Sequence, residues 1–310
     1  MSPRRALAAL AVLAVAALLF PHPLLAWTPG THIYLGESVL ANLTVLPAAV
    51  ADLLRAFPFD FLYGNIAADS SIAKKYAPVG RHCHSWHVGQ EIYDLARSDA
   101  LRAFGLGYLS HLAADVVAHN FFVPRQLVLT SSTSGFGHSY WESRFERPLG
   151  DSFARTAKEV ILLDHAPADA HLDDIIAPTI FSVKTNRRLF RGMVHLTESQ
   201  GWQRAFQVAE KRSRWDLATP DVERHLAISF DYVMELLAQP DAEPRLLDPA
   251  GEGPLRAAKR MRRETLLAGG WRDTDRLKAT ADRYFGLPRR RLAFWPTARV
   301  LKPWDDRPSD

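Results

Sequence analysis

Apolar residues recur at three- and four-residue spacing, with charged residues on the opposite side, over residues 39–57, 85–96, 101–117, 221–237 and 254–267. No run alternates β-branched and polar residues between hairpin turns, so the pattern predicts an all-α fold built as a helical bundle. Punctuation falls at Gly64-Asn65, at 77–80, at the small polar stretch 130–137, at Gln239-Pro240 and at Asp248-Pro249-Ala250-Gly251. No internal repeat is visible.

The N-terminal 26 residues break this pattern. Arg4 and Arg5 precede an uninterrupted apolar run from Ala6 to Phe20, which Pro21 and Pro23 end. Fifteen apolar residues are too few for a bilayer core, which takes roughly 20, so residues 1–26 read as a cleaved secretory signal. Leu24 and Ala26 suit the cleavage positions, the mature chain then starts at Trp27, and the protein is secreted or periplasmic. The arginine pair leaves both the general and the twin-arginine export routes open. The mature chain divides by character at about residue 150. Residues 27–150 hold most histidines, and 151–310 form a more charged helical part that completes or flanks the domain.

Composition narrows the chemistry. The 310 residues are 47% hydrophobic and 23% charged, enough to bury a large core. Without Arg4 and Arg5 the 38 Lys+Arg fall to 36 against 34 Asp+Glu, and a nearly neutral chain with no basic groove implies no nucleic-acid partner. Cys83 is the only cysteine, which excludes disulfide frameworks and thiolate metal sites. Histidine is abundant instead, and seven of the 12 lie between His32 and His138.

Their spacing carries the signal. His111, Asp115 and His119 follow one another at four-residue steps, each turning a helix by only about 40°, so the three share one face over about 12 Å. The surrounding residues are apolar nearly all round, which predicts a buried helix. A buried carboxylate beside two imidazoles needs a hydrogen-bonded network or a cation, and imidazole with carboxylate suits zinc. His138 and Glu142 repeat the four-residue step. Arg81-His82-Cys83-His84-Ser85-Trp86-His87 crowds three imidazoles together, any of which could turn inward. Asp69 closes a Gly64-Asn65-Ile66-Ala67-Ala68-Asp69 turn, and Trp27 stands five residues before His32, so that its α-amine, once freed, could chelate a cation with its own carbonyl.

In this order, the Trp, the nearby His, the Gly-x-Ile-Ala-x-Asp turn, a His, His-x-x-x-Asp-x-x-x-His and His-x-x-x-Glu together resemble the zinc-dependent phospholipase C family. Related clusters occur in the glycosylphosphatidylinositol-specific phospholipase D catalytic domain and in single-strand-specific nucleases. The resemblance implies an all-helical bundle with three zinc ions in a central cleft. Asp69, His84, His111 and Asp115 would bind the first, and His119, His138 and Glu142 the second. The third would take the amine and carbonyl of Trp27, His32 and a bridging Asp115. It further implies a phosphodiester hydrolase acting on phospholipid head groups, with Asp69 orienting or deprotonating the attacking water, peripheral membrane contact, and no obligate protein partner. A single-strand nuclease or nucleotidase on the same cluster, and a non-catalytic zinc- or lipid-binding protein, are the alternative readings. The three intervening residues between Asp115 and His119 match the phospholipase D-like branch.

Overall fold

The computed structural model describes residues 27–71, 76–78, 80–130, 137–197, 215–239, 241–270 and 273–305, without the side chains of 137–139 and 195–197. The expected signal segment, most of the 130–137 stretch and the side chain of His138 lie outside these residues. Among the described residues there is no strand, and the helices are α1 (Pro29–Leu40), α2 (Ala48–Ala56), α3 (Pro58–Ala67), α4 (Trp86–Asp94), α5 (Asp99–Val117), α6 (Val123–Leu129), α7 (Gly137–Glu146), α8 (Asp151–Leu162), α9 (Ala166–Ile175), α10 (Val183–Thr197), α11 (Thr219–Ala238), α12 (Glu252–Leu267) and α13 (Thr274–Phe285). None of them is long and apolar enough to cross a membrane.

The expected helix over 39–57 is instead two, joined by the 3-10 turn Leu43–Val45. Asn42 ends the first by donating its side-chain amide to the Ser38 carbonyl, and Pro47, which lacks an N–H, starts the second.

Helix α5 is the axis of the bundle. Ser98 caps it by accepting from the Leu101 N–H at 3.2 Å, and every residue from Ala103 to Val117 is buried. It packs against α3, α4 and α11, and burying side chains such as Phe104, Leu112 and Val116 stabilises the bundle by about 1.5–3 kcal/mol each. Two glycines let α3 and α5 come unusually close. A Cβ on Gly64 would lie 2.1 Å from the Phe104 carbonyl oxygen, and one on Gly107 would lie 2.0 Å from that of Phe61. Backbone therefore rests on backbone at this crossing, which brings the carbonyl of Asn65 to the face of α5 that carries His111.

After Val117 the helix widens into one π turn, Ala118–Phe122, before continuing as α6. Pro124 gives the reason: its ring would clash with the carbonyl four residues back and it offers no N–H, so the backbone takes a wider turn. His119 sits on that turn.

Buried residues from Trp27 to Trp304 form one contiguous hydrophobic cluster, so the C-terminal elements share the core of the histidine-bearing part. The C-terminal arm crosses back over the bundle. Fully buried Asp231 on α11 accepts from the backbone N–H groups of Ala293, Phe294 and Trp295. Farther along, Tyr34 donates to the Leu301 carbonyl, and Asn42 bonds the backbone of Arg299 both ways.

Candidate metal centre

Asp115 has no exposed surface, and three imidazoles from different elements close on its carboxylate. His32, on α1, places Nε2 3.2 Å from Oδ1. His84, from the turn before α4, and His111, one turn earlier on α5, place theirs 2.8 and 3.1 Å from Oδ2. His84 Nε2 also lies 3.4 Å from Oδ1 of buried Asp69 and 3.1 Å from His111 Nε2. The rings of His32 and His111 stack at 3.8 Å.

The proton positions follow from the backbone. His111 Nδ1 is 2.7 Å from the Asn65 carbonyl oxygen and His119 Nδ1 is 2.6 Å from that of Pro249. A carbonyl only accepts, so each ring carries a hydrogen on Nδ1, and in the neutral ring the lone pair is then on Nε2. At His111 that lone pair faces a carboxylate and another imidazole nitrogen at hydrogen-bond distance. Neither His32 Nε2 nor either Asp115 oxygen forms a well-directed hydrogen bond among the described residues. Lone pairs converging in a buried space repel unless a proton or a cation lies between them.

A divalent cation fits. Zinc binds imidazole nitrogen at about 2.0–2.1 Å, which makes the edge of a tetrahedral ligand set roughly 3.3 Å. The separations from His84 Nε2 to its three neighbours, and from His111 to Asp115, run from 2.8 to 3.4 Å. Asp69, His84 and His111 form one compact donor group, and His32, His111 and Asp115 another. Asp115 turns one oxygen to each, the arrangement of a bridging carboxylate. A carbonyl bonded behind a ligating imidazole is also the usual means of orienting one at a metal.

Electrostatics agree with that chemistry. Burial pushes the His32 imidazole down to about 4, so the ring is a neutral donor. Burial works in the opposite sense on Asp115, yet His111, His32 and His84 hold its carboxyl well below the ordinary value, so it is an anion.

The three candidates at 82–87 separate by position. His84 is buried and points at Asp115. His82 accepts from the His84 backbone N–H at 3.0 Å and braces the turn, and His87 is exposed. Tyr108 on α5 donates to the Cys83 carbonyl at 2.6 Å, fixing this segment over the helix.

The remaining predicted residues whose side chains are described are buried as well. His119 is buried on the π turn with its ring 6.2 Å from that of His84, and Glu142 is buried on α7. Trp27 is fully buried, donates its indole N–H to the carbonyl of Ala114, next to Asp115, and stacks on Phe145 at 3.8 Å. The centre lies inside the bundle, with His32, His111 and Asp115 at zero exposure.

Three groups had no functional reading in the sequence. Asn65 lies inside the turn singled out for Asp69, but its carbonyl is invisible to side-chain patterns. Asp248-Pro249-Ala250-Gly251 read only as a turn. Its Asp248 carboxylate accepts from the N–H groups of Ala250 and Glu252 at 2.9 Å, and its backbone carbonyl accepts from Asn120 at 2.7 Å. Gly251, at φ 59°, lies so close to His119 that a Cβ there would meet the His119 carbonyl oxygen at 2.5 Å. Glu146, at the end of α7, accepts from the Thr28 hydroxyl and from the Thr31 N–H at 3.1 Å, capping α1 a few residues before His32.

Residues 31–178 match the family model described as zinc dependent phospholipase C. This part of the chain is similar to the zinc dependent phospholipase C family. No curated protein and no solved structure matches the chain. The matched span includes His32, Asp69, His84, His111, Asp115, His119 and Glu142, so the phospholipase C family and the buried His/Asp cluster meet in the same residues. The family and the cluster together support a zinc-dependent, phospholipase-like hydrolase.

Proposed function

We propose that the protein is a zinc-dependent phosphodiester hydrolase that cleaves phospholipid head groups. The observation that carries this reading is the convergence of three imidazoles and Asp69 on buried Asp115, with the Nε2 lone pair of His111 turned inward by a backbone carbonyl. Asp69, His84, His111 and Asp115 would hold one zinc ion. His119, His138 and Glu142 would hold a second, and His32 with Asp115 and the main chain of Trp27 a third. Signal cleavage before Trp27 would free the amine that completes the last set, in a secreted or periplasmic enzyme.

Zinc supplies Lewis acidity, lowering the pKa of water from 15.7 to about 7 and offsetting negative charge on phosphoryl oxygens. The chain's own residues supply position. Asp69, on a buried 3-10 turn, orients the attacking water or takes its proton. Asp115 stays ionised and draws the imidazoles together. The carbonyls of Asn65 and Pro249 hold His111 and His119 in one tautomer, so neither ring must reorganise during turnover.

The test combines elemental analysis of the mature chain with hydrolysis of phosphatidylcholine, single-stranded DNA and bis-nitrophenyl phosphate, with and without chelator. The proposal predicts bound zinc, chelator-sensitive turnover, and preference for the lipid over DNA. Activity indifferent to chelation would overturn it, and preference for DNA would replace the lipid substrate by nucleic acid.

A further inference from the structure

The net charge of the chain is unevenly distributed. Residues 27–250 carry 21 Lys+Arg against 26 Asp+Glu, whereas residues 251–305 carry 14 against six. Part of this excess is used internally: Arg290 pairs with Glu235 and Glu243 and lies over the Tyr232 ring, and Lys302 pairs with Glu223 at 2.7 Å. The basic arm is thereby bound to the bundle.

Helix α12 differs. Leu255, Ala258 and the stem of Arg262 face inward, where the helix packs on α6 and the π turn. On the outer side, Arg256, Lys259, Arg260 and Arg263 are all exposed, at steps of three, one and three residues. At 100° per residue they fall within about a third of the helix circumference. Among the described residues, Lys259, Arg260 and Arg263 make no ion pair, and Arg256 has only a 3.7 Å contact with exposed Glu252. The same stripe ends in Leu266 and Leu267, which are 42% and 80% exposed. The helix begins at Gly251, against His119, so its first turn adjoins the metal centre.

We infer that this outer face of α12 docks the protein on anionic phospholipid surfaces, with the four cations lying over head-group phosphates and Leu266 and Leu267 entering the apolar boundary. Cations alone would serve any polyanion. The bare leucine pair at the end of the stripe selects lipid, because a nucleic-acid backbone gives it nothing to bury against. The inference rests on the proposed phospholipid substrate for its purpose, though binding is read without turnover.

The experiment is co-sedimentation of the full zinc-loaded chain with vesicles of phosphatidylcholine alone and with phosphatidylglycerol added, across a salt series. It compares the wild type with K259Q/R260Q/R263Q and with Leu267→Asp. The expected result is binding that requires phosphatidylglycerol, weakens with salt, and falls more than about tenfold in the triple variant. Leu267→Asp weakens it at all salt concentrations. Both variants keep wild-type zinc content and bis-nitrophenyl phosphate turnover, which shows that they are folded. Vesicle binding equal to wild type in the triple variant overturns the inference, as does absence of binding by the wild type. Stripe-dependent binding that is tighter to single-stranded DNA than to anionic vesicles also overturns it. Vesicle binding without phosphodiester hydrolysis would instead refute the proposed catalytic function and leave the docking surface standing.

Discussion

The two parts of the molecule contribute different atoms to the candidate metal centre. Residues 31–178, which match the family, provide the candidate ligating side chains on α1, α5, the π turn, α7, the 3-10 turn after α3 and the turn before α4. Residues 215–305 provide, of the atoms at the centre, backbone: the Pro249 carbonyl behind His119, the Asp248 carbonyl on Asn120, and the Gly251 main chain pressed against the π turn. A side chain can be exchanged or mutated one at a time, whereas a carbonyl is positioned only if the segment bearing it is held. The C-terminal part accordingly uses its buried polar groups to hold itself, through Asp231 at the arm and Asp248 at the turn.

This contrast can be broken first on the side-chain half. Asp115→Ala removes the carboxylate that three imidazoles share. We expect zinc to be lost from at least one site and kcat/KM to fall by about a thousandfold or more, measured on a soluble phosphodiester with parallel elemental analysis. Near wild-type values would mean that the convergence on Asp115 has no functional role.

On the C-terminal half the arm should matter for stability and not for metal. Asp231→Ala leaves three backbone N–H groups of the arm without their acceptor, a loss of about 3–4 kcal/mol in chemical denaturation. The folded fraction should keep its zinc. Zinc loss in the folded variant would merge arm and turn into one function.

His225, on α11, gives a comparison between histidines. Its Nδ1 meets the Asp221 carbonyl at 2.6 Å, as at the metal centre, but its other nitrogen is buried with no hydrogen-bond partner among the described residues, and its ring lies edge-on to Phe122 and Phe145. Burial pushes its pKa down to about 4. An unfolded histidine takes its proton near 6.5, so the folded state binds fewer protons between the two values. Its stability is complete above about pH 6.5 and declines toward pH 4, by up to about 3 kcal/mol. His225→Gln should flatten that part of the stability profile; an unchanged slope would assign it to other groups.

The smallest and most discriminating effect is expected at Gly251. Gly251→Ala must move the backbone against His119, and we expect zinc affinity to drop by about 10–100-fold with the fold retained. Gly269 also has a positive φ, 69°, yet nothing lies within 4 Å of its added Cβ. Gly269→Ala therefore carries the conformational cost alone, about 1 kcal/mol, and should leave zinc binding untouched. Equal zinc loss in both would remove the special role of the turn.

Much of the centre is legible in the order of residues along the chain. Helix α5 is, because its apolar residues and the four-residue step from His111 to Asp115 act within one helix, whereas the π turn under His119 is not. The division of 39–57 into two helices could have been read from Pro47, which a helix interior does not tolerate, but the apolar spacing runs across it. The choice among His82, His84 and His87 depends on a turn fixed by Tyr108, remote in sequence. Pro249 and Gly251 read only as punctuation, because carbonyl direction and close backbone approach leave no side-chain signature.

The central claim is that the imidazoles around Asp115 form a zinc centre, and zinc per chain tests it most directly. Elemental analysis of the purified mature protein should find close to three zinc ions, with at least one lost in His84→Ala and none lost in His87→Ala. A wild-type protein holding fewer than two zinc ions, or equal occupancy in His84→Ala, would contradict it.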